Sequence, residues 1–246
     1  MLLRLVAALT LALSLAPIAR ADTRPVVVEL FTSQGCSSCP KADAYLRELA
    51  ARDDVIALSF AVDYWDFLGW KDTLASPAFT KRQRSYVQSL GISGVYTPQI
   101  VVDGLFENVG SDRASVEARI AERRAAPLPV ALHFSDDGDV LTLHVGAGKS
   151  PERPATLWLV RYSREEVVEI RRGENRGKTM TYAHVVREMV PIGMWKGAAA
   201  SVTLPKADLL VQGHEGCAAL LQAHDGGPVL GAASIDLTAT AGPATR

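Results

Sequence analysis

Cysteine is scarce in this chain: three in 246 residues, at positions 36, 39 and 217. Three is too few for a disulfide scaffold, and the odd count leaves one thiol without a partner inside the chain, Cys217 being the candidate. Charge of one sign is also missing. Lys and Arg number 26 against 27 Asp and Glu, a net charge of −1. No global field therefore draws in nucleic acid or anionic lipid. Long hydrophobic runs are absent after the first twenty residues, so no later segment is apolar enough to span a membrane. What is present, 48% hydrophobic and 22% charged residues, is the composition of an ordinary globular protein.

The first residues form the one apolar run. "MLLRLVAALTLALSLAPIARAD" carries Arg4, an apolar stretch from Leu5 to Ala16, and Ala19-Arg20-Ala21 in the small-x-small pattern of a signal-peptidase site. The stretch is shorter than the roughly 20 residues of a membrane span. Residues 1–21 are expected to be a signal peptide, with a retained anchor as the alternative, and the mature protein is expected in the periplasm or outside the cell.

Two halves follow. From Val26 to Ala126 strand and helix patterns alternate. "VVVELF" reads as a buried strand, and Ala42, Tyr45, Leu46 and Leu49 recur at helical spacing after the cysteines. "VIALSFAV" is a second strand, and Ser76-Pro77 starts a helix that Gly91 ends. "PQIVVDGLFENVG" reads as two short strands around an Asp103-Gly104 turn, and Ser111 opens a third helix. The order β-α-β-α-β-β-α implies parallel pairing with an antiparallel edge. "AAPLP" (residues 125–129) then reads as a linker. After it the helical period disappears, and apolar segments recur about every ten residues up to "PVLGAASIDL", as in a β-sandwich. The expected organisation is an α/β domain over 22–126 and a small all-β, sandwich-like domain over 127–246 with a flexible C-terminal tail.

"ELFTSQGCSSCPKAD" carries the chemistry. Cys36 follows a buried strand through a short loop, and Cys39 stands where a helix begins. A helix N-terminus offers unpaired N–H groups and about half a positive charge, which favours a thiolate at Cys36. Pro40 fits the first helical turn. Three readings compete. A zinc site needs two further ligands, and His214 beside Cys217 in "HEGC" is a weak partial match. An inert staple is the second reading. The third, which the position of the pair favours, is a dithiol that cycles with its disulfide and needs neither metal nor cofactor. Cys36 is then the attacking thiol and Cys39 the resolving one.

This strand–CxxC–helix arrangement resembles the thioredoxin fold, a resemblance that implies a cis-proline opposite the pair. Thr97-Pro98 stands at that place, so Thr97 and Pro98 join Cys36 and Cys39 as expected catalytic residues. Unlike thioredoxin itself, the chain has no Trp before Cys36 and carries Ser37-Ser38 between the cysteines. "VDYWDFLGWKD" follows the second strand, and its Tyr64, Trp65 and Trp70 either line a substrate groove or cap the core. Asp63 and Asp66 are candidate proton carriers or solvated loop acids. "RRGENRGKTMTYAHVVRE" lacks the spacing of a phosphate loop and reads as a turn between strands, with His184 structural.

Together "VELFTSQGCSSCPKAD", "VDYWDFLGWKD", "GVYTPQIVVDG" and "GENRGKTMTYAHVVRE" resemble the bacterial exported family named domain of unknown function 1223, over Val26 to Leu237. The resemblance implies a thioredoxin-like fold and no established activity. The expected function is exported thiol–disulfide exchange on protein or peptide thiols and disulfides, with an unidentified redox partner. The rival is a non-catalytic ligand- or partner-binding protein on the same scaffold.

Overall fold

The computed structural model describes residues 25–126 and 128–238. The segment expected to be a signal peptide and the last residues of the expected flexible tail lie outside the described residues. The elements run β1 (Val26–Thr32), α1 (Pro40–Ala50), β2 (Val55–Ala61), α2 (Pro77–Leu90), β3 (Gln99–Val102), β4 (Phe106–Val109) and α3 (Arg113–Ala125). Then come β5 (Leu132–Asp137), β6 (Val140–Val145), β7 (Ala155–Glu169), β8 (Thr179–Trp195), β9 (Ala200–Pro205), a short α4 (Lys206–Leu209), β10 (Gly216–Gln222) and β11 (Val229–Asp236). The fold is mixed α/β and mostly strand.

The first half follows its sequence pattern. All seven residues of β1 and of β2 are buried, as expected of strands covered on both faces. They pair in parallel, while β3 joins β1 antiparallel and β4 forms the edge. Ser76 caps α2 by accepting from the Ala78 N–H, Pro77 occupies its first position, and Gly91 ends it at φ 66°. The cap of α3 is Asp112 rather than Ser111, because the Asp112 carboxylate accepts both the N–H and the hydroxyl of Ser115. In the β3–β4 turn Asp103 and Gly104 both have positive φ, and the Leu105 N–H donates to the Val102 carbonyl at 2.9 Å. Glycine is needed at 104, since a Cβ there would lie 2.3 Å from the Gly227 carbonyl oxygen.

The second half differs from a sandwich of short strands. "TLWLVRY" and the first four residues of "EVVEI", two separate apolar segments by their pattern, belong to one 15-residue strand, and β8 runs for 17 residues. The polar Ser163-Arg164 reads as a break in the sequence but lies within β7, where the ladder with β8 continues through two register shifts. Strand β8 also lies beside β2, so a single eight-stranded sheet of order β11-β10-β7-β8-β2-β1-β3-β4 runs through both halves. Only Ser59 and Val185 pair across the β2–β8 seam. A second bond comes from His184, whose positive φ of 45° turns its Nδ1 to the Ala57 carbonyl at 3.0 Å.

Three apolar layers hold this sheet. Phe31, Phe60, Phe79 and Tyr86 pack with Val160, Val186 and Leu220 under α2, so this core draws on both halves. On the other face Leu30, Leu46, Leu49, Ile100, Val116 and Ile120 pack beneath α1 and α3. The three-stranded sheet β5-β6-β9 covers the far end through Leu143, Leu157, Trp195 and Leu221.

Candidate functional site

Cys36 and Cys39 are joined as a disulfide with Cα atoms 5.5 Å apart. The strand end at Thr32, a tight turn through Ser33 and Gly35, and the start of α1 place them. Cys39 is the residue that caps α1, its carbonyl accepting the Ala42 and Asp43 N–H groups, and Pro40 follows at the first helical position. Cys39 is fully buried, as a resolving thiol would be. Cys36 is 2% exposed, so the sulfur expected to meet substrate is covered as well.

The Thr97-Pro98 bond is cis and lies beside the pair. Ser38 Oγ sits 3.3 Å from Cys36 Sγ and 3.4 Å from the Thr97 carbonyl oxygen. The Thr97 hydroxyl in turn accepts the Trp65 indole N–H at 2.7 Å. Trp65 leans on the cysteine turn, where a Cβ on Gly35 would come within 3.0 Å of the Trp65 Cβ. Tyr64 and Trp65 pack on the core, whereas Phe67 is 78% exposed and stacks on Trp65 with ring centroids 6.3 Å apart. The aromatic segment therefore caps the core with one side and offers a ring to solvent with the other. Trp70 is pinned to the Gln34 side-chain oxygen by its indole N–H at 2.8 Å.

The candidate proton carriers Asp63 and Asp66 are both hydrogen-bonded at the loop. Asp63 accepts the Thr80 hydroxyl at 2.6 Å, and Asp66 accepts the Asp72 N–H at 3.0 Å. The buried carboxyls are two others. Asp72 accepts the Gln34 and Leu74 N–H groups, and burial nonetheless pushes its pKa up. Asp43, one turn beyond Cys39 on α1, is fully buried with one oxygen on the Thr32 hydroxyl at 2.7 Å. Its other oxygen has no hydrogen-bond partner among the described residues, and burial raises its pKa to about 7. Such a carboxyl holds a proton in mild acid and releases it above neutrality.

The description "protein of unknown function (DUF1223)" belongs to a family whose profile matches residues 27–222. The chain belongs to this family. Among solved structures, the DUF1223 chain is similar to protein AGR_C_4864 from Agrobacterium tumefaciens. The two are 36% identical with a TM-score of 0.76, covering 90% of this chain and 96% of that one. HBP35 of Porphyromonas gingivalis shares the fold at 17% identity and a TM-score of 0.59, covering 91% of this chain and 78% of that one. No curated protein matches the chain.

The family segment "GENRGKTMTYAHVVRE" now has a place. It forms the turn between β7 and β8 and the start of β8, and the long hairpin carries it onto the cysteines. Asn175 is buried there, and its amide donates to the carbonyls of Gln34 at 3.0 Å and Cys36 at 2.8 Å. Glu174 accepts the Ser37 N–H at 3.2 Å. Gln34, Asp43, Asp72 and Asn175 are the site residues that sequence reasoning missed. All four lie inside the motifs that carry the family resemblance, and polar residues in such motifs were the available signal. Cys217, by contrast, is buried in β10 against Leu141, Leu159 and Leu209, and burial raises its thiol pKa to about 12. Among the described residues no group of three or more His, Cys, Asp or Glu is arranged to hold a metal. No helix among them is long and apolar enough to cross a membrane.

Proposed function

We propose that the protein is an exported thiol–disulfide oxidoreductase on a thioredoxin-like frame, acting on protein or peptide thiols and disulfides. The observation that carries this reading is the disulfide at the start of α1 with Thr97 beside it, Ser38 Oγ lying 3.3 Å from Cys36 Sγ and 3.4 Å from the Thr97 carbonyl oxygen. A helix start stabilises a thiolate, which favours the reduced form of a pair placed there. In the reducing direction the Cys36 thiolate attacks one sulfur of a substrate disulfide, and the substrate's other sulfur leaves as a thiolate and takes up a proton. Cys39 then attacks Cys36 Sγ, releasing the second substrate thiol and closing the Cys36–Cys39 disulfide. Two electrons pass from the pair to the substrate, and oxidation of a substrate dithiol is the same sequence reversed. Thr97 and Pro98 flank the docking peptide, and Trp65 and Phe67, with Tyr64 and Trp70 behind them, form its apolar wall.

The burial of Cys36 beside an exposed, stacked Phe67 favours a second reading, a binding protein whose disulfide is a staple and whose aromatic loop holds a partner. One titration separates the two. The protein is equilibrated in graded glutathione buffers, free thiols are trapped, and the products are weighed. A Cys36–Cys39 midpoint above about −270 mV, with exchange abolished in Cys36→Ala, supports catalysis. A midpoint below about −300 mV moves the assignment to the binding protein.

A further inference from the structure

The turn between β7 and β8 is built as a separate piece. Its neck is closed by the Gly177 N–H to the Ile170 carbonyl at 2.7 Å and the Ile170 N–H to the Lys178 carbonyl at 2.9 Å. Inside it, the Arg176 and Lys178 N–H groups donate to the Gly173 and Asn175 carbonyls. These bonds hold the turn's shape without help from the cysteines. Arg171, Arg172, Glu174, Arg176, Gly177 and Lys178 are exposed, and Asn175 alone is buried.

Attachment to the cysteine turn is correspondingly thin. Both amide protons of Asn175 are spent on Gln34 and Cys36, and its oxygen accepts the Lys178 ammonium at 2.9 Å. Glu174 adds the bond from the Ser37 N–H. Gly173 rests near Trp70, where a Cβ would lie 3.2 Å from the Trp70 Cβ. Detaching the turn costs these few polar contacts and the packing of Gly173 on Trp70.

We propose that residues 173–178 form a gate over the Cys36–Cys39 disulfide and that Asn175 is its latch. In the closed arrangement both cysteines are at most 2% exposed, with Asn175 seated on the Cys36 carbonyl and Glu174 on the Ser37 N–H. Exchange then proceeds through the open form, and the Asn175 amide sets how often that form occurs. Two hydrogen bonds of ordinary net strength, one of them directly on the Cys36 carbonyl, hold the open form down by about 10- to 100-fold. The gate belongs to the site proposed above, but its test uses a small thiol and no protein substrate, so failure of the gate and failure of catalysis register separately.

The experiment measures the rate at which dithiothreitol opens the disulfide in the full chain, by quenched alkylation and mass. A dithiothreitol thiolate attacks Cys36 Sγ, Cys39 leaves as a thiolate, and ring closure of dithiothreitol to its cyclic disulfide releases Cys36. The expected result is a rate about 10- to 100-fold higher in Asn175→Ala. Re-oxidation by cyclic dithiothreitol disulfide should rise by the same factor, leaving the glutathione midpoint in place. Glu174→Gln, which keeps Asn175, should give a smaller acceleration. Urea melts of each variant distinguish a loose gate from a loose protein, and Glu174→Gln carries the test if Asn175→Ala does not fold. Equal rates in the wild type and both variants overturn the proposal. So does an acceleration matched by an equal loss of global stability.

Discussion

Strand β1 has buried charge on both sides, and the two sides are finished differently. On the α2 side, Glu29 receives Arg82 through Nε at 2.5 Å and through the terminal nitrogen at 2.8 Å, and the Tyr86 hydroxyl at 2.5 Å. Gln222, from the second half, accepts Arg82 at 3.1 Å and donates to Tyr86 at 3.1 Å and to the Gly227 carbonyl at 2.8 Å. Every Glu29 oxygen is occupied and the pair is neutral as a unit. Beside the cysteines, Asp72 is held by N–H donors, and among the described residues one Asp43 oxygen has no hydrogen-bond partner and no cation is paired with either carboxylate. Both clusters tie the halves together, one through Gln222 and the other through Asn175. A closed network around matched charges is what a clamp needs. A cluster with an unmatched carboxyl and a detachable side is what a reacting site needs, since its protons and contacts can change.

Breaking the clamp should be the largest effect. Arg82→Ala takes the guanidinium from Glu29, which is 0% exposed and keeps the Tyr86 hydroxyl, and should cost about 3–5 kcal/mol in urea unfolding. The next effect sharpens the contrast. Because burial raises the folded pKa of Asp43 from 3.8 to about 7, ionising it opposes folding. The sign is the reverse of that for a salt-bridged carboxylate: Asp43 weakens the fold progressively as pH rises from about 4 to about 7. Asp43→Asn should therefore gain stability relative to the wild type across that window, by up to about 4 kcal/mol at its upper end. A difference that stays flat with pH would place a compensating charge beside Asp43 and make the two clusters alike. The smallest effect concerns the rim. Arg171, Arg172, Arg176 and Lys178 are exposed there beside two exposed acids, Glu174 and Glu169, the latter paired with Arg171 at 3.3 Å. A sulfonate-bearing thiol should open the disulfide a few-fold faster than an amine-bearing thiol of matched pKa, and the advantage should shrink as salt rises to 1 M.

Local order was legible in the sequence and long-range assembly was not. The buried β1, the capped α2 and the CxxC at the head of α1 follow from periodicity, caps and proline placement, all decided within a few residues. The place of β8 beside β2 rests on one backbone pair and a histidine turned to positive φ, and no hydrophobic pattern encodes either. Ser163-Arg164 looked like a break because its polarity outweighed the alternation continuing on both sides. Asn175 reaches Gln34 across 141 residues of chain, and an asparagine between two glycines carries the same signal as any exposed turn. Asp43 reads as the polar face of an amphipathic helix until its neighbours in space are known.

The separation of Cys36 from Asn175 by 139 positions sets an order of events as the chain is made. At about 5–20 residues per second, Cys36 is made roughly 7–28 seconds before the asparagine that will sit on its carbonyl. Through that interval the pair is as open to oxidants, reductants and maturation enzymes as any unstructured CxxC. Whichever oxidation state it holds when β8 docks beside β2 is the state then enclosed. The finished molecule therefore begins from an oxidation state set before its last strands were made.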